Sequence, residues 1–414
     1  MTTLAEPTAT TPADVAPHAD DAARDGRLSA HDETPARSAF QRLALHDFRS
    51  YGSVTLELDG RPAAFFGANG AGKTNLLEAL SLFGPGRGLR SARLNELPRA
   101  KGPGGWAASA LFSSGAGETS EPVKLGVGAT ASTPDKRVCR IDEAPAKGPS
   151  AFAEVVRFLW LTPAQDGLFT ASASDRRKFL DRMTQARDAA HARAANDFDT
   201  AMRQRQKLLE DGVKDDAWLG ALETQMAEAG VAVAAARRET AAILAAADVA
   251  SLAGGAFPAA TIALEGRIEA ALAAHPAADV EENYIIQLRN NRRVDAEAGR
   301  ATAGPHRSDM IVSHREKEMP ARRCSTGEQK ALLIGLILAN AMILADARGR
   351  APLVLLLDEI AAHLDENRRA ALFDIIERTG FQCFMTGTDE NLFAAWGRRA
   401  QSFRVENGVV TETA

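Results

Sequence analysis

The sequence predicts an α/β protein: a mixed sheet, a separate antiparallel β layer, and a helical lobe inserted between the two halves of the sheet domain. Three observations predict it. A Gly-rich loop, Gly67-Ala-Asn-Gly-Ala-Gly72-Lys73-Thr74, lies between a short apolar run (Ala63 to Phe66) and an apolar segment of helical character (Leu76 to Leu82). A second apolar run, Leu353 to Leu357, ends in Asp358-Glu359, and an unbroken run of this kind is the mark of a parallel strand buried on both faces. Between the two, from Asp175 to about residue 250, the chain is rich in Ala, Leu, Arg, Glu and Gln and almost free of Pro and Gly, a composition of strong helix formers.

Residues 1–38 are rich in Ala, Thr, Pro and Asp and hold no apolar run. They read as a disordered tail, with too little apolar surface to offset chain ordering; without an apolar run a secretory signal is not expected there, and Asp20, Asp21 and Asp25 argue against an organellar transit peptide. Residues 39–173 form the first half of the head. Apolar alternation from Leu43 to Tyr51 predicts a strand, followed by Val54 to Leu58 and the strand before the Gly-rich loop. Ala107 to Phe112, Val123 to Val127 and Arg137 to Ile141, separated by Gly/Ser/Pro-rich turns, suggest the antiparallel layer. Phe158 to Leu161 is another strand, closed by Thr162-Pro163.

The inserted lobe spans 174–298, broken at Gly254-Gly255, Pro258 and Pro276, with a shorter helix from about Val280 to Arg292. It is too short and too broken for a coiled-coil rod. Residues 299–414 form the second half, with strands at Met310 to Val312, Leu353 to Leu357 and Phe381 to Met385, a helix after Ser325, and a closing hairpin around Asn407-Gly408. Ala331 to Ala345 is the most apolar stretch, but it is shorter than the ~20 residues of a spanning helix and contains Asn340; it reads as a buried core helix.

The Gly-rich loop fits G-x-x-x-x-G-K-[S/T] in the strand–loop–helix setting which that motif requires. Backbone N–H groups from Gly67, Ala68, Asn69, Gly70, Ala71 and Gly72 would cradle phosphates at a helix N-terminus. Lys73 would reach the β- and γ-phosphates and Thr74 would hold Mg²⁺, so the expected cofactors are ATP and Mg²⁺. Asp358-Glu359 ends a strand at the carboxyl edge of the sheet, where ligands bind; Asp358 would hold the metal and Glu359 would polarise the attacking water. The net charge of −5 excludes nucleic-acid binding by overall basicity and demands a local patch. Three cysteines without a C-x-x-C pair imply neither a disulfide framework nor a zinc site and fit a reducing cytoplasm.

Cys324-Ser-Thr-Gly-Glu-Gln-Lys330 resembles the signature of ABC-type ATPases. At a helix N-terminus, Ser325, Thr326 and Gly327 would face an anion, which in that class is the γ-phosphate held by the other subunit. Ser325 with Glu328 also satisfies an N-terminal capping box, and both readings hold together. Asp365 matches the D-loop position of the class, which lies across the dimer seam. Its switch histidine is absent; Met385-Thr386-Gly387-Thr388 stands there, and Thr386 or Thr388 would contact the γ-phosphate or its water instead, which fits slow hydrolysis. Gln165 reads equally as the metal-facing Q-loop glutamine and as an ordinary loop residue.

Asp47-Phe-Arg-Ser-Tyr51, Lys73-Thr-Asn-Leu-Leu-Glu-Ala79, Asp175-Arg-Arg-Lys-Phe-Leu-Asp181 and Gly304-Pro-His-Arg-Ser-Asp309, with Ser325 to Lys330, resemble the bacterial RecF family over residues 40–410. The resemblance implies an ABC-type ATPase head with a compact helical lobe, an ATP-dependent homodimer, and weak ATP hydrolysis used as a switch. It also implies cytoplasmic, nucleoid-associated binding of single-stranded and duplex DNA at gaps and stalled forks, action with RecR and RecO to load RecA, and no membrane partner. It implies that Ser325, Gly327 and Gln329 act in trans and that Arg49 approaches the triphosphate. His306 and Arg307 match the family motif; a phosphate or dimer contact is one reading, and a structural ion pair for Arg307 is the other. Arg176, Arg177, Lys178, Arg182, Arg203, Arg205, Lys207, Arg289, Arg292 and Arg293 are the candidate DNA contacts, against the reading of a solvated helix face with local ion pairs. An SMC-like or SbcC-like head would need long heptad arms, and a transporter nucleotide-binding subunit lacks such an insertion and usually keeps the switch histidine.

Overall fold

The computed structural model describes residues 38–414 except 115–120, 248, 250–253, 346–351 and 414; the expected tail, up to residue 37, lies outside the described residues. The first half runs through β1 (Ala39–Phe48), β2 (Tyr51–Glu57), β3 (Ala63–Phe66), α1 (Lys73–Ser81), β4 (Trp106–Ser113), β5 (Val123–Ala129), β6 (Val138–Ile141), β7 (Ala144–Pro145) and β8 (Arg157–Leu161). The insertion holds α2 (Ala173–Arg187), α3 (Ala189–Glu210), α4 (Asp216–Ala246), β9 (Ala260–Glu265), α5 (Arg267–Ala274), α6 (Ala277–Asn290) and α7 (Arg292–Ala298). The second half holds β10 (Asp309–His314), β11 (Met319–Pro320), α8 (Thr326–Ala345), β12 (Leu353–Leu357), α9 (Glu366–Thr379), β13 (Gln382–Gly387), β14 (Gln401–Glu406) and β15 (Val409–Thr413).

The antiparallel layer has the order β2-β1-β4-β5-β6-β7 and the mixed sheet the order β15-β14-β3-β13-β12-β8, parallel from β14 through β8. Burial follows from these positions. Every residue of β3, β12 and β13 is buried, whereas β4 alternates between core and solvent, as a layer with one wet face must. The strand expected from Leu43 to Tyr51 is two: the chain reverses at Arg49-Ser50, with Phe48 paired to Tyr51 and Arg49 at φ 51°. Apolar alternation continues through the turn, so the pattern alone does not mark it.

Phe40 sits where the two sheets meet, with ring centroids 5.0 Å from Phe112, 6.0 Å from Phe158 and 6.1 Å from Phe83. The register of β1 slips between Phe40 and Arg42. Buried Gln382 of β13 fills that gap, accepting the Phe40 N–H (2.7 Å) and donating to its carbonyl (3.0 Å). A side-chain amide thus replaces a strand neighbour and ties the layers together, where an unpaired peptide would cost ~1–3 kcal/mol. Helices α2, α8 and α9 cover the opposite face of the mixed sheet. The apolar stretch of α8 is a core helix as expected, 78% buried over its most apolar window.

The lobe has its own core around Phe198, Met226, Tyr284 and Leu288. Two elements escape the sequence pattern. β9 pairs antiparallel with β10 and makes a small third sheet with β11, and α5 follows it; the Gly254-Gly255 and Pro258 break hides a strand whose alternate positions include Thr261 and Ala263. The lobe meets the head through Asp181 of α2. Its carboxylate takes Arg237 of α4 in bidentate fashion (2.6 and 2.8 Å) and His191 (2.9 Å), and Arg237 also donates to the Pro305 carbonyl (2.7 Å).

Burial alone would raise the Asp181 pKa, but the hydrogen bonds from His191 and Arg237 and the Arg237 charge bring it down to about 2. A carboxyl depressed in the fold contributes stability that is complete above its unfolded value near ~4 and is lost as pH falls towards the folded value. Thermal melts between pH 5 and pH 2 are expected to show this loss for the unchanged chain. Asp181→Asn, which leaves Arg237 buried and unpaired, is expected to lower stability by ~3 kcal/mol and to flatten that pH dependence.

Candidate nucleotide site and signature element

The phosphate loop leaves the end of β3 and enters α1. Its crown, Ala68, Asn69 and Gly70, is exposed, while Ala71, Gly72 and Lys73 are buried. Two glycines carry the loop's path. Gly67 (φ 148°) lies so close to β14 that a Cβ would stand 2.2 Å from the Val405 carbonyl oxygen, and at Gly72 (φ 117°) a Cβ would meet Ser50 Oγ at 2.7 Å and Tyr51 Oη at 2.8 Å. Tyr51 donates its hydroxyl to the Gly72 carbonyl (3.0 Å), and the Gly408 N–H donates to the Ala71 carbonyl (3.3 Å). The β1–β2 and β14–β15 turns therefore clasp the loop from two sides.

The Lys73 ammonium donates to the carbonyls of Gly67 (2.7 Å) and Ala68 (2.9 Å). Burial lowers its pKa, and the charges of Glu359 and Asp358 oppose that shift. Asp358, at the end of β12 and 5% exposed, is the meeting point of the site. Its Oδ1 accepts hydroxyls from Thr74 (2.8 Å) and from fully buried Thr386 at the end of β13 (2.7 Å). Thr386 in turn accepts the Glu359 N–H (2.9 Å). Glu359 has φ 54°, a conformation sparse for residues other than glycine and of the strained kind that clusters at functional sites.

One hydroxyl and one carboxylate form a hard-oxygen donor pair, the set with which Mg²⁺ is bound when it keeps its waters and takes phosphate oxygens; Thr74 and Asp358 would hold it. Gln165 is not free for that role. It lies in the turn after β8, and its amide oxygen, the atom a metal would take, accepts the Thr162 N–H (3.0 Å).

The signature element opens α8. Ser325, Thr326 and Gly327 are exposed at its N-terminus. The capping box is formed: Glu328 Oε2 accepts both the Ser325 N–H and its hydroxyl (2.9 Å each), while Lys317 holds the other oxygen. Lys317 and then Ser325 pull the Glu328 carboxyl down to about 2. Gln329 departs from expectation. It is buried and donates to the Cys324 carbonyl (2.9 Å), so it braces the signature turn from within instead of facing a partner. Lys330 pairs with Asp166 (2.8 Å), tying α8 to the Gln165 turn. Asp365 is the N-cap of α9, accepting the Arg368 N–H (2.8 Å), with a side chain 58% exposed.

Arg49 also departs from expectation. Its guanidinium takes buried Glu78 of α1 in bidentate fashion (2.9 and 2.8 Å) and the Glu96 carbonyl (2.8 Å); it pins the β1–β2 turn to α1. Glu78 lies within the Lys73 to Ala79 motif, but nothing in the sequence alone assigns it this role. His306 packs on Phe198, bonds the Ala301 carbonyl and has a pKa lowered chiefly by burial, so it belongs to the lobe core. Arg307 is exposed and has no ion pair among the described residues.

Most of the basic residues expected to meet DNA have another partner within the fold, though Lys178, Lys207 and Arg293 remain exposed. Arg205 is fully buried between Glu223 (3.0 Å) and Asp295 (2.7 Å). Arg292 takes Glu223 and Asp216, Arg176 takes Asp309, Lys207 takes Asp211, Lys178 takes Asp175, and Arg293 takes Glu297. Arg182 lies over Trp160, 4.5 Å from the ring centroid, and burial pulls its pKa down to about 9. Arg177, Arg203 and Arg289 have no carboxylate within ion-pair distance among the described residues; Arg203 donates to the Asp199 carbonyl.

A phosphate loop, a strand-end acid pair and a signature element at an exposed helix N-terminus, on a split sheet with a helical insertion, define a P-loop ATPase head. The model of the RecF/RecN/SMC N-terminal domain matches residues 39–411. DNA replication and repair protein RecF of Rhizobium etli is 50% identical over 376 residues, covering 91% of this chain and 99% of that protein, and RecF of Mesorhizobium japonicum is 48% identical over 92% and 99%. A solved structure of the recombination mediator protein RecF-ATP in the RecFOR pathway matches with a TM-score of 0.77 at 21% identity, over 93% of this chain and 100% of that one. An Smc head domain from Pyrococcus furiosus matches at 0.50 and 16%, over 91% and 96%; these two likenesses concern the fold. The chain belongs to the RecF family of DNA replication and repair proteins.

Gly72→Ala places a methyl against Ser50 and Tyr51 at a left-handed φ. It is expected to abolish binding of a fluorescent ATP analogue, measured by anisotropy, while the circular dichroism spectrum stays native.

Proposed function

We propose that this chain is an ATP-driven, DNA-binding switch of recombinational repair. ATP and Mg²⁺ occupy the loop from Gly67 to Thr74 with Asp358. Two copies then close, each offering Ser325 and Gly327 to the nucleotide of the other, with Asp365 at the seam. The closed dimer binds single-stranded and duplex DNA at gaps and stalled forks, and acts with RecO and RecR to load RecA in the cytoplasm, at the nucleoid.

The observation that carries this reading is the exposed N-terminus of α8. Its N–H and hydroxyl donors at Ser325 already hold a carboxylate oxygen of Glu328, the kind of anion contact that a γ-phosphate would replace. A helix N-terminus stabilises such an anion through its free N–H groups and dipole. Because the turn is exposed, a nucleotide held by a second copy can reach these donors and take the place of Glu328. Glu359 orients the attacking water, and Lys73 turns from the loop carbonyls to the phosphates. Thr386, standing where an imidazole is usual in ABC-type heads, fixes Asp358 and Glu359 but supplies no titrating group near neutral pH. Hydrolysis is accordingly slow and serves to reopen the dimer. Arg49 supports the site through Glu78.

Light scattering tests the reading. The unchanged chain with Mg²⁺ and a non-hydrolysable ATP analogue is expected to double in mass and to retain duplex DNA. Lys73→Ala is expected to stay monomeric and to lose that retention. A chain that remains single at saturating nucleotide would refute the proposal.

A further inference from the structure

We infer that a band of four arginines, Arg322 and Arg323 beside the signature element and Arg177 and Arg307 at the base of the lobe, takes the phosphodiester backbone of DNA. This inference rests on the reading of the chain as a DNA-binding protein and gives that activity a surface.

Arg322 and Arg323 are exposed on the short turn Ala321–Arg323, two residues before Ser325, and neither has an ion-pair or hydrogen-bond partner among the described residues. With Arg176 they line a cavity of about 710 Å³, in which Glu265 is the one acidic lining residue. Arg176 is neutralised by Asp309 through two bonds of 2.7 Å. The next residue, Arg177, is not: it donates to the Ser308 carbonyl (2.5 Å) and has no carboxylate within ion-pair distance among the described residues. Arg307 immediately precedes Ser308 and is exposed and unpaired among the described residues.

The local charge balance is the argument. Arg176, Arg177, Arg237 and Arg307 face Asp309 and Asp181, each already bound in bidentate fashion by one arginine, and Asp175, which acts on Arg176 and is paired with Lys178. Burial lowers the Arg177 pKa, and the charges of Arg237 and Arg307 lower it further against Asp181 and Asp309. Arg177 and Arg307 thus have no ion-pair partner of their own among the described residues, an arrangement that an incoming phosphate relieves, and the planar guanidinium fork matches phosphate oxygens. Arg205 and Arg292 are neutralised within the lobe, and the cavity that Arg176 shares with Arg322 and Arg323 leads the track towards the signature element. A backbone lying there would touch the turn that precedes Ser325, so closure on ATP and grip on DNA would share one segment.

The test compares the full chain with Arg307→Ala and with the Arg322→Ala/Arg323→Ala double variant. Binding of a fluorescein-labelled duplex is measured against KCl concentration, with Mg²⁺ and a non-hydrolysable ATP analogue. For every phosphate that a variant no longer neutralises, the slope of log K against log[salt] is expected to fall by ~0.9. Arg193→Ala, which removes an exposed arginine paired with Asp197 on α3, should leave the slope unchanged. Light scattering and nucleotide anisotropy on the same variants separate the sources of phosphate. Dimerisation retained with a reduced slope supports the track. Dimerisation abolished while each monomer still binds nucleotide would assign these arginines to the partner's triphosphate and overturn it. An unchanged slope in dimers that do bind DNA would overturn this inference alone, whereas an unchanged chain that dimerises but never binds DNA would remove the DNA-binding reading beneath it. The double variant alters only an exposed turn, so the test survives if Arg307→Ala fails to fold.

Discussion

One carboxylate oxygen, Oδ1 of Asp358, accepts the hydroxyls of Thr74 and Thr386. Thr74 opens α1 in the first half of the chain; Asp358 and Thr386 end adjacent strands in the second. The site exists only when the two halves are woven into one sheet, and the strand order shows how: β3 lies between β14 and β13, and β8 closes the edge beside β12. Neither half can make this sheet alone. The helical insertion is compatible with it because loop-closure entropy rises only slowly with length, and because the insertion buries a core of its own. Turns from both halves, at Ser50-Tyr51 and at Gly408, then press on the phosphate loop, so the loop's shape reports on the integrity of the whole head.

Charge is distributed by the same logic of long-range pairing. Arg205 of α3, Glu223 of α4 and Arg292 and Asp295 of α7 neutralise one another inside the lobe. Such buried networks cost desolvation and are weak evidence of added stability, but removing one partner is expensive. Asp181 and Arg237 do the equivalent work where lobe meets head. What remains unpaired among the described residues is a smaller set of cations than the sequence displays; it includes Arg322 and Arg323 beside the signature element and Arg307 in the Pro305–Arg307 turn, and also Arg203 and Arg289 of the lobe.

The chemistry-bearing segments are legible in the sequence because each is local. The phosphate loop, the acid pair after β12, the Ser325–Glu328 capping box and the Asn407-Gly408 hairpin are set by a few consecutive residues, and all lie in the structural context their patterns require. The antiparallel layer is legible through its alternation. Partnership across the chain is not. Nothing near Arg49 announces that Glu78 will hold it, nothing near Gln165 says that Thr162 will occupy its amide, and the apolar neighbours of Gln329 are hidden until α8 packs. β9 is hidden because its apolar alternation is only two residues long, Ile262 and Leu264, and lies beside a Gly/Pro break, whereas its partner β10 bears Met310, Ile311 and Val312 together.

The proposal that two copies share each nucleotide site is best tested by complementation. Lys73→Ala spoils the phosphate loop and leaves the signature intact; Ser325→Arg spoils the signature and leaves the loop intact. A heterodimer of the two holds one complete site, formed by the loop of one chain and the signature of the other. ATP turnover, expected to be absent from each variant alone, should reappear on mixing and rise with the concentration of the scarcer variant. Mixed dimers that form yet hydrolyse no ATP, or a Ser325→Arg chain that turns over ATP by itself, would contradict the account.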